Sequence, residues 1–215
     1  MGTPLTGVGF FIHSHDFYLD GKIYTTVEVS YLINLKELKE STIKFKMVWE
    51  SACKNHRVLY FQMNEEDEGI DAHFHPCGED HAFILEGELT YDLSFKEQIV
   101  AKKNSLVFGW TNAVHGYHNY KKEPLHILVF ATPEQNVSEY DENKLSDKNT
   151  ATIRHIETLP IKETLYSNRV VFSSVPPSDF TNTLTLDFNR QLLHVTPCKK
   201  PCANPLFITF KTTGP

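Results

Sequence analysis

Residues 71–87 read Asp-Ala-His-Phe-His-Pro-Cys-Gly-Glu-Asp-His-Ala-Phe-Ile-Leu-Glu-Gly, and they carry most of the structural information in the chain. His73 and His75 are separated by one residue, so on a β-strand both side chains point to the same face. Their imidazoles can then converge on one metal ion. An acidic residue and an apolar run follow, and Gly87 supplies the positive φ that a tight strand–turn–strand connection needs. The segment therefore predicts a metal site inside a β-structure.

The His-x-His spacing is weak evidence by itself, because 11 histidines in 215 residues produce such pairs by chance. His13-Ser-His15 has the same spacing but no downstream partners at suitable distances, and we interpret it as a structural or surface pair. The second pair differs because its surroundings match a larger pattern.

That pattern resembles the first motif of the cupin family. In this motif a His-x-His pair is followed by about four residues, an acidic ligand, six further residues and a glycine. Here His75 is followed by four residues, then Asp80, then six residues and Gly87. The family most often has Glu where this chain has Asp80, so the shorter carboxylate leaves Glu79 as the rival fourth ligand. Counting back from Gly87 favours Asp80.

Residues 104–119 resemble the second cupin motif, which contains a third histidine and an asparagine four residues later. His115 and Asn119 occupy these positions. Asn104 and Asn112 replace two glycines of the motif, and Asn tolerates a left-handed backbone, so the turns can be kept. Trp110 replaces a proline and could alter a pocket wall. The resemblance spans residues 44–131, under half of the chain.

Strand alternation separates possible ligands from the other polar residues near them. If Asp80 points inward, Ala82 and Ile84 also point inward, and His81 points to the opposite face. By the same reasoning, His115 shares a face with Tyr117 and Asn119, whereas His118 lies on the other. We therefore interpret His81 and His118 as non-ligands. His126 lies on a later strand and could be a second-shell or pocket residue.

Short runs rich in β-branched and aromatic residues, bounded by turn residues, recur along the chain and predict an all-β protein. The expected helices are short, at 32–39 and 139–145. Together with the resemblance, the predicted fold is a cupin double-stranded β-helix (a jelly-roll barrel) with extra N- and C-terminal strands.

Four segments are expected. Residues 1–43 hold N-terminal strands and a short helix, and residues 44–132 form the barrel core. Residues 133–149 are a polar surface connection, in which Val137, Tyr140 and Leu145 are the apolar exceptions. Residues 150–215 form a C-terminal β extension or a partial second barrel. They could add strands to the first sheet, cover a partner in a dimer, or combine with the N-terminal strands.

Composition excludes several classes of function. The net charge of −6 and the pI of about 6.0 argue against a nucleic-acid interface. No apolar run approaches the ~20 residues of a membrane-spanning helix. The four cysteines are too few for a disulfide framework, and Cys198 and Cys202 are interpreted as ordinary thiols, so we expect a reducing, cytoplasmic setting. The expected partners are a small-molecule ligand or substrate and, from the resemblance, a second copy of the chain in a homodimer.

The resemblance implies one divalent transition metal per chain, bound by His73, His75, Asp80 and His115. This ligand set does not distinguish Fe, Ni, Mn, Cu and Zn. The function that we expect is a non-haem metal dioxygenase-type oxidoreductase of unknown substrate. The alternatives are a non-catalytic, metal-assisted small-molecule sensor and a redox-neutral isomerase or hydrolase, because one fold hosts many activities.

Overall fold

The computed structural model describes residues 8–19, 22–64, 66, 68–133, 137–146, 149–155, 164–167, 169–173, 182–197 and 205–211. Within these ranges, the side chains of residues 8–30, 152–155 and 166 are not described. The predictions for Cys198 and Cys202, and for the side chains of His13 and His15, therefore lie outside the described residues.

The elements follow one another along the chain as β1 (Val8–Leu19), β2 (Lys22–Asn34), α1 (Leu35–Glu40), β3 (Phe45–Glu50), β4 (Arg57–Met63), β5 (Glu68–His73), β6 (Asp80–Glu86), β7 (Glu88–Asp92), β8 (Gln98–Lys102), β9 (Ser105–Gly109), β10 (His115–Asn119), β11 (Leu125–Ala131), a 3₁₀ turn (Glu142–Lys144), β12 (Thr152–His155), β13 (Leu165–Tyr166), β14 (Val170–Ser173), β15 (Thr183–Asp187), β16 (Leu192–Thr196) and β17 (Leu206–Lys211). The prediction of an all-β protein is confirmed.

The helices are shorter than the sequence predicts. The helix expected at 32–39 begins only at Leu35, because β2 continues through Asn34 in antiparallel pairing with β16. The Asn34 side chain then accepts hydrogen bonds from the amides of Lys36 and Glu37 as an N-cap. The helix expected at 139–145 is the single 3₁₀ turn Glu142–Lys144, whose N-cap is Asp141.

The chain divides into two compact units, one of them Thr42–Leu159 and the other Met1–Ser41 together with Pro160–Pro215. The second of these contains a seven-stranded sheet in the order β1-β2-β16-β15-β17-β14-β13. Its N-terminal and C-terminal strands join where β2 pairs with β16.

The unit Thr42–Leu159 contains two sheets, and the site that we describe below belongs to it. One sheet has the order β5-β10-β7-β8 and the other the order β12-β9-β6-β11-β4-β3. Residues of both sheets form one buried hydrophobic cluster, which includes Ala82, Ile84 and Tyr117. The expected inward direction of Ala82 and Ile84 is therefore confirmed, and the Tyr117 side chain also belongs to this cluster.

Three turns take the backbone conformation that the sequence predicts. Gly87 has a φ of 88°, and a Cβ atom there would lie 2.7 Å from the carbonyl oxygen of Pro124. Asn104 and Asn112 have φ values of 65° and 62°, so asparagine does keep the turns where the cupin motif has glycine.

In the part of the chain that the structure describes, no helix is long and apolar enough to cross a membrane. Cys77 is a free, exposed thiol, whereas Cys53 is disulfide-bonded. Disulfide bonds are rare in reducing compartments, so Cys53 weighs against the reducing setting that the sequence suggests.

Candidate metal centre

Four side chains from three strands and one loop meet at one end of the two sheets. His73 is the last residue of β5, Asp80 the first of β6 and His115 the first of β10, while His75 follows β5 by two residues. His73 and His115 lie directly opposite each other in the β5–β10 pair. One potential ligand atom from each of the four residues lies within 4.8 Å of the others. We call these four residues the His3Asp cluster.

The three imidazole rings pack closely. The ring centroids of His73 and His115 are 4.3 Å apart, and His75 lies 5.0 Å from each of them. Burial, followed by the neighbouring His115, lowers the pKa of His73 to about 4. His73 is therefore neutral near pH 7, which is the form that binds a metal.

Backbone carbonyl groups orient all three rings. The Nδ1 atoms of His73, His75 and His115 lie 2.8, 3.0 and 3.0 Å from the carbonyl oxygens of Asp71, Val137 and Ala113, respectively. Because a carbonyl oxygen can only accept a hydrogen bond, each Nδ1 carries the proton. In the neutral rings each Nε2 atom then carries a lone pair. This is the tautomer in which Nε2 can bind a metal ion.

The Asp80 carboxylate lies among these Nε2 atoms. Its Oδ2 is 3.3 Å from Nε2 of His75 and 3.7 Å from Nε2 of His115, and the latter nitrogen is buried without a hydrogen-bond partner. Burial raises the pKa of Asp80, but the two histidines outweigh it and hold that pKa well below its usual range. A buried lone pair beside an ionised carboxylate fits a cation, so the cluster could hold one metal ion.

Asp80 also affects His75. Burial lowers the pKa of His75, but the hydrogen bond with Asp80 and the charge of that carboxylate more than compensate, so the pKa lies above its ordinary value. In the absence of a cation, Asp80 and His75 thus form a hydrogen-bonded acid–base pair at the mouth of the cluster.

Glu79, the rival fourth ligand, lies elsewhere. Its Oε2 is 3.4 Å from Nε2 of His81, and its amide donates a hydrogen bond to Oγ1 of Thr132. Glu79 is buried, with only 3% of the residue exposed. The reason is the direction of β6, which sends the side chains on either side of Asp80 to the opposite face from the cluster.

The other described histidines also lie outside the His3Asp cluster. His118 is hydrogen-bonded to Oδ2 of Asp92 at 2.8 Å, and Nδ1 of His126 to the hydroxyl of Tyr60 at 2.7 Å. The ring of Trp110 lies 4.7 Å from that of His81 between centroids and stacks on Phe108. His81 and His118 thus lie apart from the cluster, as the alternation predicts.

Sequence reasoning missed a segment that contacts the cluster. Residues 137–140 belong to the predicted surface connection, yet Phe74 and Glu139 exchange both backbone hydrogen bonds of an antiparallel bridge, at 3.0 and 2.9 Å. This bridge places the carbonyl of Val137 on His75 and the Tyr140 ring 5.4 Å from His73. The sequence marks Val137 and Tyr140 as apolar exceptions in a polar stretch, but it does not show that this stretch contacts the cluster.

A cavity of about 150 Å³ opens beside the cluster. His75 and Asp80 form its inner side, and Arg57 is the one cationic residue among those that line it. The remaining lining is mixed, with Leu59 and Val137 as apolar members and Thr132, Ser138 and other residues beside them. A small molecule in this cavity would lie against the cluster.

The unit Thr42–Leu159 therefore consists of two facing sheets. The His-x-His motif lies at the end of one strand, and a third histidine lies opposite it on the neighbouring strand. This unit has the double-stranded β-helix fold, which is the fold that the cupin resemblance predicts.

Solved structures of this type are similar to the chain over less than half of its length. A double-stranded β-helix protein from Klebsiella pneumoniae is 21% identical, with 46% of this chain and 84% of that chain covered and a TM-score of 0.39. An RmlC-like cupin from Desulfovibrio desulfuricans is 22% identical, with 41% of this chain and 80% of that chain covered and a TM-score of 0.36. The cupin domain of an XRE-family transcriptional regulator from Enterobacter cloacae is 13% identical over 42% and 96%, with a TM-score of 0.37.

These similarities concern the fold alone. No protein-family model and no curated protein matches the chain.

Proposed function

We propose that the chain is a metal-dependent cupin enzyme acting on a small molecule, and that His73, His75, Asp80 and His115 bind one divalent transition-metal ion. One observation carries this proposal. All three Nδ1 protons are held by backbone carbonyl groups, so three Nε2 lone pairs and one carboxylate are gathered within 4.8 Å of one another. Such a set of donor atoms satisfies a divalent cation well.

The adjacent cavity supports a catalytic role over a purely structural one. His75 and Asp80 are part of the cavity wall, so a small molecule can reach the ion from that side. A metal bound here would supply Lewis acidity and a template for the substrate and, if it is iron or a related redox-active metal, the capacity to react with O₂. Asp80 lies where it can accept a proton from a substrate that contacts the ion.

Within this class we propose a dioxygenase-type oxidoreductase. The support is the resemblance of both motifs to the cupin family, together with a donor set that accepts Fe(II) as well as other divalent metals. Zinc in the same site would instead favour redox-neutral chemistry, such as isomerisation or hydrolysis, or the binding of a ligand without turnover.

Element analysis of the untagged protein tests the proposal first. We expect about one Fe, Ni, Mn or Cu ion per chain, with O₂ consumption in the presence of an enol, diketone or thiol substrate from a small-molecule panel. Stoichiometric zinc without O₂ consumption would remove the dioxygenase proposal but keep the metal site. No metal, even after anaerobic reconstitution with Fe(II), would refute the metal site itself.

A further inference from the structure

We propose that Tyr91 and Tyr117 donate hydrogen bonds to an ionised oxygen atom of the ligand that binds at the His3Asp cluster. This inference rests on the proposed function, because the same oxygen atom would contact the metal ion. It narrows the class of ligand from any enol, diketone or thiol to a molecule that binds through oxygen, such as an enolate or a phenolate.

The two tyrosines lie next to the histidines of the cluster. Tyr117 follows His115 by two positions in β10, and the centroids of their rings are 5.8 Å apart. Tyr91 of β7 is directly opposite Tyr117 in the antiparallel pair of β7 and β10, with 5.7 Å between the ring centroids. Side chains directly opposite each other on neighbouring strands share a face of the sheet. The tyrosine pair is therefore the next row of side chains beside His115.

The hydroxyl of Tyr91 lies at the strand pair that carries Asp80. A Cβ atom on Gly109 would lie 3.1 Å from this hydroxyl, and Gly109 is the partner of Asp80 in the ladder between β6 and β9. Burial, followed by the charge of Asp80, raises the pKa of both Tyr91 and Tyr117 well above its ordinary value. Both hydroxyl groups are thus protonated near pH 7 and lie within reach of the charge at the cluster.

Both hydroxyl groups are buried without a hydrogen-bond partner among the residues that the structure describes. Tyr91 is fully buried, only 2% of Tyr117 is exposed, and both belong to the hydrophobic cluster between the two sheets. A buried hydroxyl without a partner destabilises a protein, and phenylalanine would fill nearly the same space without this cost. Two such tyrosines side by side therefore fit the binding of a polar atom better than packing alone.

The His3Asp cluster offers an ion and its ligand only acceptor atoms. Backbone carbonyl groups hold the Nδ1 protons of the three histidines, and the ionised carboxylate of Asp80 only accepts hydrogen bonds. A ligand oxygen that contacts the ion has further lone pairs, which need donors. The hydroxyls of Tyr91 and Tyr117 provide them, and hydrogen bonds to an ionised oxygen are stronger than those between neutral groups.

A pair of O–H donors distinguishes oxygen from sulfur. Sulfur accepts hydrogen bonds weakly, so a thiolate would gain little from the two hydroxyls, whereas an enolate or a phenolate would gain both bonds. The cavity of about 150 Å³, with His75 and Asp80 in its wall, provides room for the rest of the molecule. An engineered protein cavity of roughly this volume binds benzene, so phenol is a probe of suitable size.

A purely structural role of the two tyrosines is the alternative, and Tyr60 provides the matched control. Tyr60 is also fully buried, but its hydroxyl is hydrogen-bonded to Nδ1 of His126 at 2.7 Å. In the metal-free protein, Tyr91→Phe and Tyr117→Phe remove hydroxyls without a partner, so the melting temperature should stay the same or rise. Tyr60→Phe breaks an existing hydrogen bond and should lower the melting temperature by about 2–4 °C.

Calorimetric titration of the full chain, loaded with Co(II), with phenol and with thiophenol tests the preference for oxygen. The two probes share one ring and differ only in the atom that contacts the ion. We expect Tyr91→Phe and Tyr117→Phe each to weaken phenol binding at least about tenfold and thiophenol binding less than about twofold. Tyr60→Phe should change neither affinity. The visible absorption of Co(II) checks that each variant is loaded and that each probe contacts the ion.

Several outcomes would overturn the inference while leaving the metal site intact. These are no binding of phenol by the Co(II)-loaded wild-type chain, an unchanged phenol affinity in both variants, and equal losses for phenol and thiophenol. A fall in the melting temperature of Tyr91→Phe and Tyr117→Phe as large as that of Tyr60→Phe would also overturn it, since the hydroxyls would then serve the fold. Failure of the wild-type chain to take up Co(II) would refute the proposed function, and this inference with it.

Discussion

Asp80 and Glu79 are neighbours in the chain, yet they belong to two different histidine–carboxylate groups. Asp80 lies in the His3Asp cluster beside the cavity, whereas Glu79 pairs with His81 on the opposite face of the sheet, where His81 is fully buried. Both groups combine histidine with a carboxylate, but one contains three histidines and the other contains a single histidine. The two groups also differ in the orientation of their rings.

The orientation of the rings separates the two groups. In the cluster, carbonyl oxygens hold the Nδ1 atoms and direct three Nε2 atoms toward one point. In the pair, Nε2 of His81 faces the carboxylate of Glu79 itself, and the rings of Phe108 and Trp110 lie against His81. The comparison indicates that the carboxylate beside several converging Nε2 atoms could hold a metal ion, whereas the carboxylate beside a single histidine forms only a buried pair.

The largest expected difference is in metal content, when one histidine of each group is replaced by glutamine. His115→Gln removes one converging Nε2 atom, so metal content should fall from about one ion per chain to nearly none. His81→Gln should leave metal content unchanged and lower the free energy of unfolding by about 1–3 kcal/mol, since a buried polar contact is lost. Element analysis and urea unfolding of both variants measure the two effects. Equal metal loss in both would show that the groups are not distinct.

The adjacent carboxylates provide the second comparison. Asp80→Asn should weaken metal binding by more than the ~10–100-fold that is typical for loss of a group outside the ligand set. Glu79→Gln should keep full metal content and lower the melting temperature by about 2–8 °C, because it replaces one buried charged hydrogen bond by a neutral one. Competition with a chromogenic chelator measures the affinities. The reverse result would make Glu79 the ligand.

The sequence predicts much of the separation between residues that belong to the His3Asp cluster and residues that lie outside it. Strand alternation separates Asp80 from His81, and His115 from His118, because side-chain direction depends only on position along the strand. The turns at Asn104 and Asn112 can be predicted for a similar reason, since few residues accept a positive φ.

Contacts formed by the backbone of distant segments could not be predicted. The carbonyl of Val137 lies 62 residues from His75 and carries no side-chain signature. The bridge between Phe74 and Glu139 is likewise formed by backbone atoms alone, so residues 133–149 are described from the sequence only as a polar connection. The buried position of Glu79 depends on contacts with Thr111 and Thr132, which lie far from it in the sequence and are not contained in local patterns.

The smallest expected effect is on metal affinity, when a tyrosine beside a histidine is removed inside the cluster or outside it. Tyr140 lies 5.4 Å from His73 of the cluster, and Tyr120 stacks at the same centroid distance on His118, outside it. Tyr140→Ala should reduce metal affinity by up to about tenfold, because it loosens the position of His73. Tyr120→Ala, the matched control, should leave the affinity unchanged. Titration with Co(II), followed by its visible absorption, compares the two. Identical affinities would remove Tyr140 from the site.

The three carbonyl groups that hold the imidazoles affect how the amino-acid sequence around the site can change. Asp71, Ala113 and Val137 act on the histidines through atoms that every amino acid possesses. Exchanges of side chain at these positions can therefore accumulate without changing the tautomer of any ring, as long as the backbone path is retained. Sequence drift at these positions is thus poor evidence that the site has been lost, and insertions or deletions nearby are the events that would disable it.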